Sequence, residues 1–322
     1  SVSRITHEPR VSLAVLEAML APYLASGQLI LWLRHRPVAT ETSGATISTV
    51  RLRALDTGAE QEVQARIFID CTEQGDLLPL ASVEFTTGAE SRRDTGEPHA
   101  PEQAQPSNIQ SFTVCFAMEH RPGEDHTIDR PAQYSFWRDY VPKLTPAWPG
   151  HLLAWHMSNP QTLERRELRF DPTLSISPEG PLNLWLYRRL LDAKNFAGGA
   201  FRYVRMVNWP QNDYWLGALH RVPEVDAEKH LEGGRQLSLS LLYWMQTAAP
   251  RPDGGQGWKG LRIRPDVTGT GDGLAQYPYI RESRRIVPEF LVTEAHIGTE
   301  ARMAATSASR DDVRAESFSH SC

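Results

Sequence analysis

Three arginines lie within five residues of one another near the end of the sequence, in the segment Tyr-Ile-Arg-Glu-Ser-Arg-Arg-Ile at residues 279–286. In a β-strand, Arg281, Ser283 and Arg285 would share one face of the sheet. Two guanidinium groups on one face can bind a carboxylate or a phosphate bidentately. From spacing alone, a surface ion-pair patch with the nearby Glu282 and Glu289 is an equal alternative. The segment is therefore a candidate anion-binding site.

A second polar motif occupies residues 67–76, where Ile-Phe-Ile leads into Asp-Cys-Thr-Glu-Gln-Gly-Asp. The pattern predicts a strand, an acidic turn that contains a glycine, and a short helix. Ligands of open α/β sheets bind at the carboxyl ends of strands, where backbone N–H groups and a helix start can face them. The segment 70–76 is therefore a candidate ligand-binding turn. The alternative, that Asp76 only caps the short helix, is favoured by the local sequence.

For two further motifs, a structural role is favoured over ligand binding. Residues 269–273, Gly-Thr-Gly-Asp-Gly, have the spacing of a phosphate loop, but no apolar strand precedes them and Pro278 follows, so a flexible turn is favoured. Residues 208–215 join aromatic rings to amides and a carboxylate. Such a set can line a pocket, but packing at a domain seam is favoured. The chain has no H-E-x-x-H or G-x-S-x-G pattern, so a zinc-protease site and a nucleophile elbow have no support.

The first part of the chain contains the elements that must position the motif at residues 67–76. Apolar residues at helical spacing predict a helix over residues 9–25. A compact apolar run at residues 29–33 predicts a strand. Alternation over residues 46–55, a turn and a second alternating segment at residues 63–69 predict a β-hairpin that returns to the sheet.

The rest of the chain differs in composition. Residues 86–110 are rich in Gly, Glu, Pro, Gln and Ser, which marks a surface excursion or a domain boundary. Residues 111–118 are predicted to form a strand, and residues 182–191 and 227–246 have apolar spacing typical of helices. A strand-like pattern returns over residues 277–293. Eight of the nine tryptophans lie between Trp137 and Trp258.

Composition limits the functional class. The 322 residues are 40% hydrophobic, enough for a sizeable core and, by length, for two domains. A net charge of -5 lacks the basic excess that nucleic-acid binding requires, and no apolar run is long enough to cross a bilayer. Cys71, Cys115 and Cys322 are scattered, which favours a reducing compartment and disfavours a structural zinc or an iron–sulfur cluster.

Residues 65–87, 208–214 and 277–293 together resemble the FAD-dependent oxidoreductase family of the glutathione-reductase-like FAD fold. The resemblance covers nearly the whole chain, from His7 to about Arg310. In that family a G-x-G-x-x-G segment opens the FAD domain and a final segment closes over the flavin. Neither has a counterpart here, so we expect the chain to be an interior fragment, with an unpaired sheet edge and exposed apolar surface at residues 63–69.

The resemblance implies an α/β fold in which a partial Rossmann-like FAD-binding domain, residues 1–85 and 274–322, is interrupted by a mixed α+β substrate or cap domain, residues 86–273. It implies FAD as the cofactor and hydride transfer between the flavin and a small organic substrate, with no nucleic-acid or membrane partner and a cytoplasmic location. The wider group includes proteins with 4Fe-4S clusters, but this chain has no cysteine set for one.

The resemblance also assigns roles to single residues. Arg281 and Arg285 are the expected catalytic residues, which stabilise anionic flavin or orient substrate. Five residues are expected to bind the cofactor: Thr72, Glu73, Gly75, Asp76 and Ser283. The alternatives are a non-catalytic module that binds a ligand or stacks carbohydrate on its tryptophans, and an inactive truncated gene product.

Overall fold

The computed structural model describes residues 6–174, 179–197 and 203–306. The chain divides into two compact units, each made of two separate stretches. Unit 1 comprises Ser1–Leu31 and Ser111–Tyr279, and unit 2 comprises Trp32–Gln110 and Ile280–Cys322. The assignment of an FAD-binding role and a cap role to particular stretches stays a prediction.

The secondary structure consists of short elements with two longer helices. The helices are α1 (Pro9–Ala25), α2 (Leu77–Leu80), α3 (Arg92–Thr95), α4 (Tyr134–Asp139), α5 (Glu224–Thr247), α6 (Pro265–Thr268), α7 (Glu294–Ile297) and α8 (Thr299–Thr306). The strands are β1 (His35–Ser43), β2 (Thr46–Ala54), β3 (Glu60–Gln64), β4 (Phe85–Thr86), β5 (Phe112–Thr113), β6 (Phe116–His120), β7 (His156–Ser158), β8 (Arg165–Arg169), β9 (Leu182–Asn183), β10 (Arg189–Leu191), β11 (Val204–Val207), β12 (Asp213–Tyr214), β13 (Leu261–Ile263) and β14 (Arg285–Ile286). Short 3-10 helices cover Leu184–Leu186, Ala193–Asn195 and Pro210–Asn212.

Unit 1 contains most of the buried apolar side chains. Its main sheet has the order β10-β11-β6-β13 and is antiparallel. The long helix α5 buries one face, including Leu237, Leu241 and Met245, and packs against α4 and β13. Among the largest fully buried side chains are those of Trp137 and Trp209. These contacts make unit 1 the densely packed part of the described chain.

Unit 2 contains a three-stranded antiparallel sheet in the order β1-β2-β3, in which Val50 lies opposite Val63. A separate two-stranded pair joins β4 to β14, with Arg285 opposite Thr86 and Ile286 opposite Phe85. This pair brings the late arginine-rich segment beside the early part of the chain. It therefore positions the candidate site described below.

Predictions that rest on long periodic patterns are confirmed. The helix predicted over residues 9–25 is α1, the strand over residues 46–55 is β2, and the helix over residues 227–246 lies within α5. The strand predicted at residues 111–118 is present as β5 and β6, with a break between them. Each of these patterns spans enough residues to identify its period.

The helix predicted over residues 182–191 is wrong. The Asn183 side chain accepts a hydrogen bond from the N–H of Trp185 at 3.1 Å. It also exchanges hydrogen bonds with the backbone of Asp171 in both directions, each at 3.1 Å. These bonds stop the helix after one 3-10 turn, and residues 189–191 then pair with β11.

Three predicted strands are wrong over most of their length. Residues 29–33 form no strand, residues 65–69 continue from β3 without strand structure, and within residues 277–293 only β14 is a strand. Ile67 and Ile69 are 77% and 79% exposed, so the apolar surface expected to be exposed at residues 63–69 is present at these two side chains. An apolar run forms a strand only when a neighbouring strand makes hydrogen bonds to its backbone N–H and C=O groups.

The fold class is confirmed at the level of a mixed α/β chain with several small sheets. The Rossmann-like arrangement is not confirmed. Among the described residues, the pairing of β8 with β9 is parallel and the other strand pairings are antiparallel. A Rossmann-like sheet is mostly parallel.

Candidate functional site in unit 2

The turn after residue 69 is organised by Asp70. Its carboxylate accepts a hydrogen bond from the N–H of Thr72 at 2.9 Å and from the N–H of Leu77 at 3.0 Å. The Thr72 hydroxyl oxygen accepts from the N–H of Asp76 at 2.7 Å. Asp76 occupies the N-cap position of α2, but its side chain makes no capping hydrogen bond. The interpretation that Asp76 caps the helix is therefore wrong, because Asp70 holds the first helical N–H.

Gly75 lets the arginine-rich segment approach this turn. Its φ is +61°, in the left-handed region that favours glycine. A Cβ atom there would lie 3.2 Å from Leu78 Cδ1 and 3.5 Å from both Cβ and the carbonyl oxygen of Arg284. Gly75 is thus required by backbone conformation and by the close neighbour.

Arg284 connects the two motifs. Its guanidinium donates to the carbonyl oxygen of Gln74 at 2.7 Å and contacts Asp76 Oδ1 at 3.4 Å. It also lies over the ring of Phe85, with 5.7 Å between the guanidinium carbon and the ring centroid. The two motifs, found separately in the sequence, are therefore one site within unit 2.

The pKa of the Asp76 carboxyl is subject to opposing effects at this contact. Burial raises the pKa of the Asp76 carboxyl above its ordinary value, and nearby Asp70 raises it further. The guanidinium of Arg284 acts in the opposite direction without cancelling the rise. Asp76 therefore keeps its proton to a higher pH than a solvated aspartate does.

Arg285 belongs to a different network. It pairs with Glu282 at 2.8 Å and with Glu90 at 2.9 Å, and it donates to the carbonyl oxygen of Gly88. Burial lowers the pKa of Arg285, but the hydrogen bonds to the two carboxylates outweigh it and raise the pKa overall. Burial raises the pKa of Glu90, but its hydrogen bonds, chiefly from Arg285, lower it overall. The predicted ion-pair patch is thus present through Glu282.

The strand geometry predicted for the three arginines is wrong over residues 281–284, because the strand β14 begins only at Arg285. Arg284 and Arg285 contact different neighbours, as on opposite faces. In a strand, Glu282 would share the face of Arg284, but it pairs with Arg285. Arg281 is half-buried and has contacts of its own. Glu289 forms no ion pair with another described residue.

Two buried polar atoms beside the turn lack a hydrogen-bond partner among the described residues: Ser283 Oγ and Arg284 Nε. By contrast, the turn uses most of its own backbone donors, since the N–H groups of Thr72, Gly75 and Asp76 are all bonded within it. The donors left for an acceptor-rich cofactor are therefore side-chain atoms at residues 283–284. These residues fit such a group, whereas the turn is not a phosphate-binding nest.

The predicted cofactor-binding residues are thus brought together to different degrees. Gly75, Asp76 and Ser283 lie at the Arg284 contact, whereas Thr72 supports the turn from within and Glu73 is exposed. Sequence reasoning missed Asp70 and Arg284. An aspartate directly after an apolar run and two residues before a threonine is a signal for a side-chain-stabilised turn that could have identified Asp70.

Two motifs remain, residues 208–215 and residues 269–273. Trp209, Gln211 and Asn212 are buried, and the Asn212 side-chain oxygen accepts a hydrogen bond from the N–H of Trp209 at 2.8 Å, so these three residues of the segment 208–215 pack within unit 1, whereas Trp215 is only partly buried. Residues 269–273 form the turn after α6. Among the described side chains, no group of three or more His, Cys, Asp and Glu could hold a metal ion.

Comparison with known proteins identifies the family of the chain. No curated protein and no solved structure matches the chain. No helix in residues 6–174, 179–197 and 203–306 has both the length and the apolar character needed to span a membrane. A family model described as FAD dependent oxidoreductase matches residues 1–316. Because this match covers nearly the whole sequence, the chain belongs to the FAD-dependent oxidoreductase family.

Proposed function

We propose that the protein oxidises or reduces a small organic substrate by hydride transfer, and that the site in unit 2 helps to hold its FAD. The observation that carries this proposal is the contact of Arg284 with residues 74–76, beside two buried donors without a partner in the described chain. When bound, FAD supplies the two-electron chemistry. A partial Rossmann-like domain and a cytoplasmic location, as the resemblance implies, are part of the same proposal.

Arg284 and Ser283 are the residues we assign to cofactor binding. Arg284 Nε and Ser283 Oγ donate hydrogen bonds to acceptor atoms of the cofactor, and so gain the partners they lack. Asp70, through the turn, and Gly75, through its small size, keep residues 74–76 against Arg284. Asp76 neutralises part of the guanidinium charge.

The earlier candidates for catalysis take different places in this proposal. Arg285 is held by two carboxylates, so its charge is already compensated and it positions residues 88–90. Arg281 remains the candidate for orienting an anionic substrate. The alternative of sugar stacking has no support, because six tryptophans of the middle region are buried and offer no ring face: Trp137, Trp148, Trp185, Trp209, Trp244 and Trp258.

The test is a titration of the whole chain with FAD, followed by flavin fluorescence or equilibrium dialysis. We expect Arg284→Gln to weaken FAD binding by roughly tenfold, about the value of one charged hydrogen bond. The matched variant Arg285→Gln should change it by no more than about threefold. Circular dichroism and urea unfolding check that both variants fold.

Two results would overturn the proposal. The first is wild-type protein that binds no FAD at millimolar concentration. The second is an Arg284→Gln variant that folds and binds FAD as tightly as wild type does. In the second case Ser283→Ala decides whether any donor at residues 283–284 contributes.

A further inference from the structure

A cavity lies entirely within unit 1. It has a volume of about 900 Å³, at the upper end of the range for small-molecule pockets. Helix α4 and the residues after it form one wall, and Trp215 and Leu216 form the other. This cavity is separate from the residues assigned above to FAD, and its interpretation does not rest on the proposed function.

The wall of the cavity is apolar but partly open to solvent. Phe136, Val141 and Leu216 are each more than 40% exposed, although all three are large apolar residues that line one cavity. Scattered apolar residues on a surface need no explanation, but a cluster around a concave site marks a place for an apolar ligand. Burial of these side chains by a ligand would therefore be favourable.

The aromatic part of this wall is held rigidly from behind. The Phe136 ring stacks on the Tyr140 ring at 5.4 Å and meets the Trp137 ring edge-on at 4.9 Å. Trp137 is fully buried and also packs against Tyr214. Because these rings already contact one another without a ligand, a small ordering cost is expected on binding.

Of the two charged groups at the cavity, Asp139 has an ion-pair partner and Lys143 has no carboxylate partner among the described residues. Asp139 is paired with its neighbour Arg138 through two hydrogen bonds of 2.8 Å and 2.6 Å, which lower the pKa of that carboxyl. Lys143 is exposed and has no carboxylate partner among the described residues. The ammonium of Lys143 is therefore the uncompensated charge at the cavity.

Tyr140 adds a neutral donor beside this charge. Burial raises the pKa of its hydroxyl, so the group keeps its proton at neutral pH. One ammonium and one hydroxyl suit a single negative charge better than a doubly charged phosphate, which would also face Asp139.

We propose that this cavity binds an organic monoanion, with an aromatic or branched aliphatic body against Phe136, Val141 and Leu216 and a carboxylate at Lys143.

The experiment compares two ligands that differ only in charge, 4-phenylbutyrate and 4-phenylbutyramide, by calorimetry with the whole chain at low ionic strength. We expect one saturable site for the carboxylate and binding of the amide that is roughly fivefold weaker. Lys143→Gln should abolish the preference for the carboxylate. Lys229→Gln, which changes another exposed lysine of unit 1, should retain it.

A third variant tests the apolar wall. Leu216→Ser should weaken both ligands by roughly threefold to tenfold, since part of the apolar contact is lost. The proposal is overturned if 4-phenylbutyrate shows no saturable binding, if wild type binds both ligands equally, or if Lys143→Gln keeps the preference. The wild-type comparison of the two ligands is decisive even if a variant fails to fold.

Discussion

Each unit of the protein contains a glutamate that binds arginine, and the two glutamates are in different environments. In unit 1, Glu119 is 1% exposed and contacts three guanidinium groups, those of Arg121 at 2.7 Å, Arg262 at 3.2 Å and Arg264 at 3.1 Å. In unit 2, the side chain of Glu282 is 16% exposed and contacts Arg285 and the N–H of Gln110. The first carboxylate is surrounded on several sides, whereas the second is part of a looser network.

The two units also differ in how many apolar side chains they bury. Unit 1 contains a continuous set of buried apolar side chains and all nine tyrosines of the chain. In the described part of unit 2, Val50 is the one large apolar side chain that is buried. Buried polar atoms without a hydrogen-bond partner among the described residues occur in both units, for example Trp137 Nε1 in unit 1 and Ser283 Oγ and Arg284 Nε in unit 2. Unit 1 therefore has the larger apolar core, whereas the candidate site lies in unit 2.

The largest effect expected from this comparison is at Glu119. Glu119→Gln removes the charge that compensates three arginines, and we expect a loss of about 3 kcal/mol in the free energy of unfolding of unit 1. Glu282→Gln should cost about 1 kcal/mol, since its surroundings are more open. Hydrogen exchange measured in peptides of each unit separates the two effects. Equal losses would contradict the distinction between the networks.

Next in size is the loss of a core side chain. Leu241→Ala, at a fully buried position of α5, should cost about 3 kcal/mol through lost transfer energy and the cavity left behind. Val50→Ala in unit 2 should cost about 1 kcal/mol, because fewer apolar neighbours surround it. The same exchange experiment measures both. If the Val50 variant lost as much protection as the Leu241 variant, unit 2 would have a core of similar strength.

A smaller, pH-dependent effect is expected at Tyr214. Burial raises its pKa to about 12 in the folded chain, against an ordinary value of 10. Its contribution to stability is therefore complete below pH 10 and is lost as the pH rises through 12. Tyr214→Phe also removes the hydrogen bond to His230 at 3.0 Å, so the variant should be less stable at pH 8.

The measurement is urea unfolding of wild type and Tyr214→Phe at several pH values. The difference in stability between them should shrink by about 2 kcal/mol between pH 10 and pH 12. Tyr23→Phe, at an exposed position, is the control for effects of the substitution itself. A difference that is independent of pH would show that Tyr214 is not buried as described.

The smallest effect on stability is expected at the exposed apolar residues of unit 2. Replacing Ile67 and Ile69 together by threonine should reduce binding of a hydrophobic dye and reduce self-association. The free energy of unfolding should change by less than about 0.5 kcal/mol, since neither side chain is buried. Val63→Thr, which faces Val50 across β2 and β3, is the control that should destabilise. A large loss of stability in the double variant would contradict the exposure of residues 67–69.

The sequence predicted those elements whose apolar spacing continues over many consecutive residues. Helices α1 and α5 have 17 and 24 residues, so their apolar period is clear. Residues 29–33 and 65–69 have the composition of strands, but strand formation depends on a neighbour that no local pattern specifies. The same limit explains why the helix predicted at residues 182–191 was wrong, since Asn183 bonds to a residue twelve positions away.

The sequence identified both motifs of the candidate site, but it did not predict the contact that joins them. Both motifs were identified from residue types, and Gly75 and Asp76 were named among the binding residues. Arg284 was missed because the alternation of a strand assigned it to the other face from Arg281 and Arg285. Which arginine meets the turn depends on the pairing of β14 with β4, two elements about 200 residues apart, and no spacing rule provides that.

The separation of the two motifs has a consequence for how the protein is made. Arg284 and Asp76 are 208 positions apart, and the whole of residues 111–279 is synthesised between them. At ordinary rates of translation the ribosome needs roughly 10 to 40 seconds to cover that distance. During this interval the first part of unit 2 has emerged without its second part, while most of unit 1, including α5, is synthesised. The candidate site is therefore expected to be among the last features of the nascent chain to form.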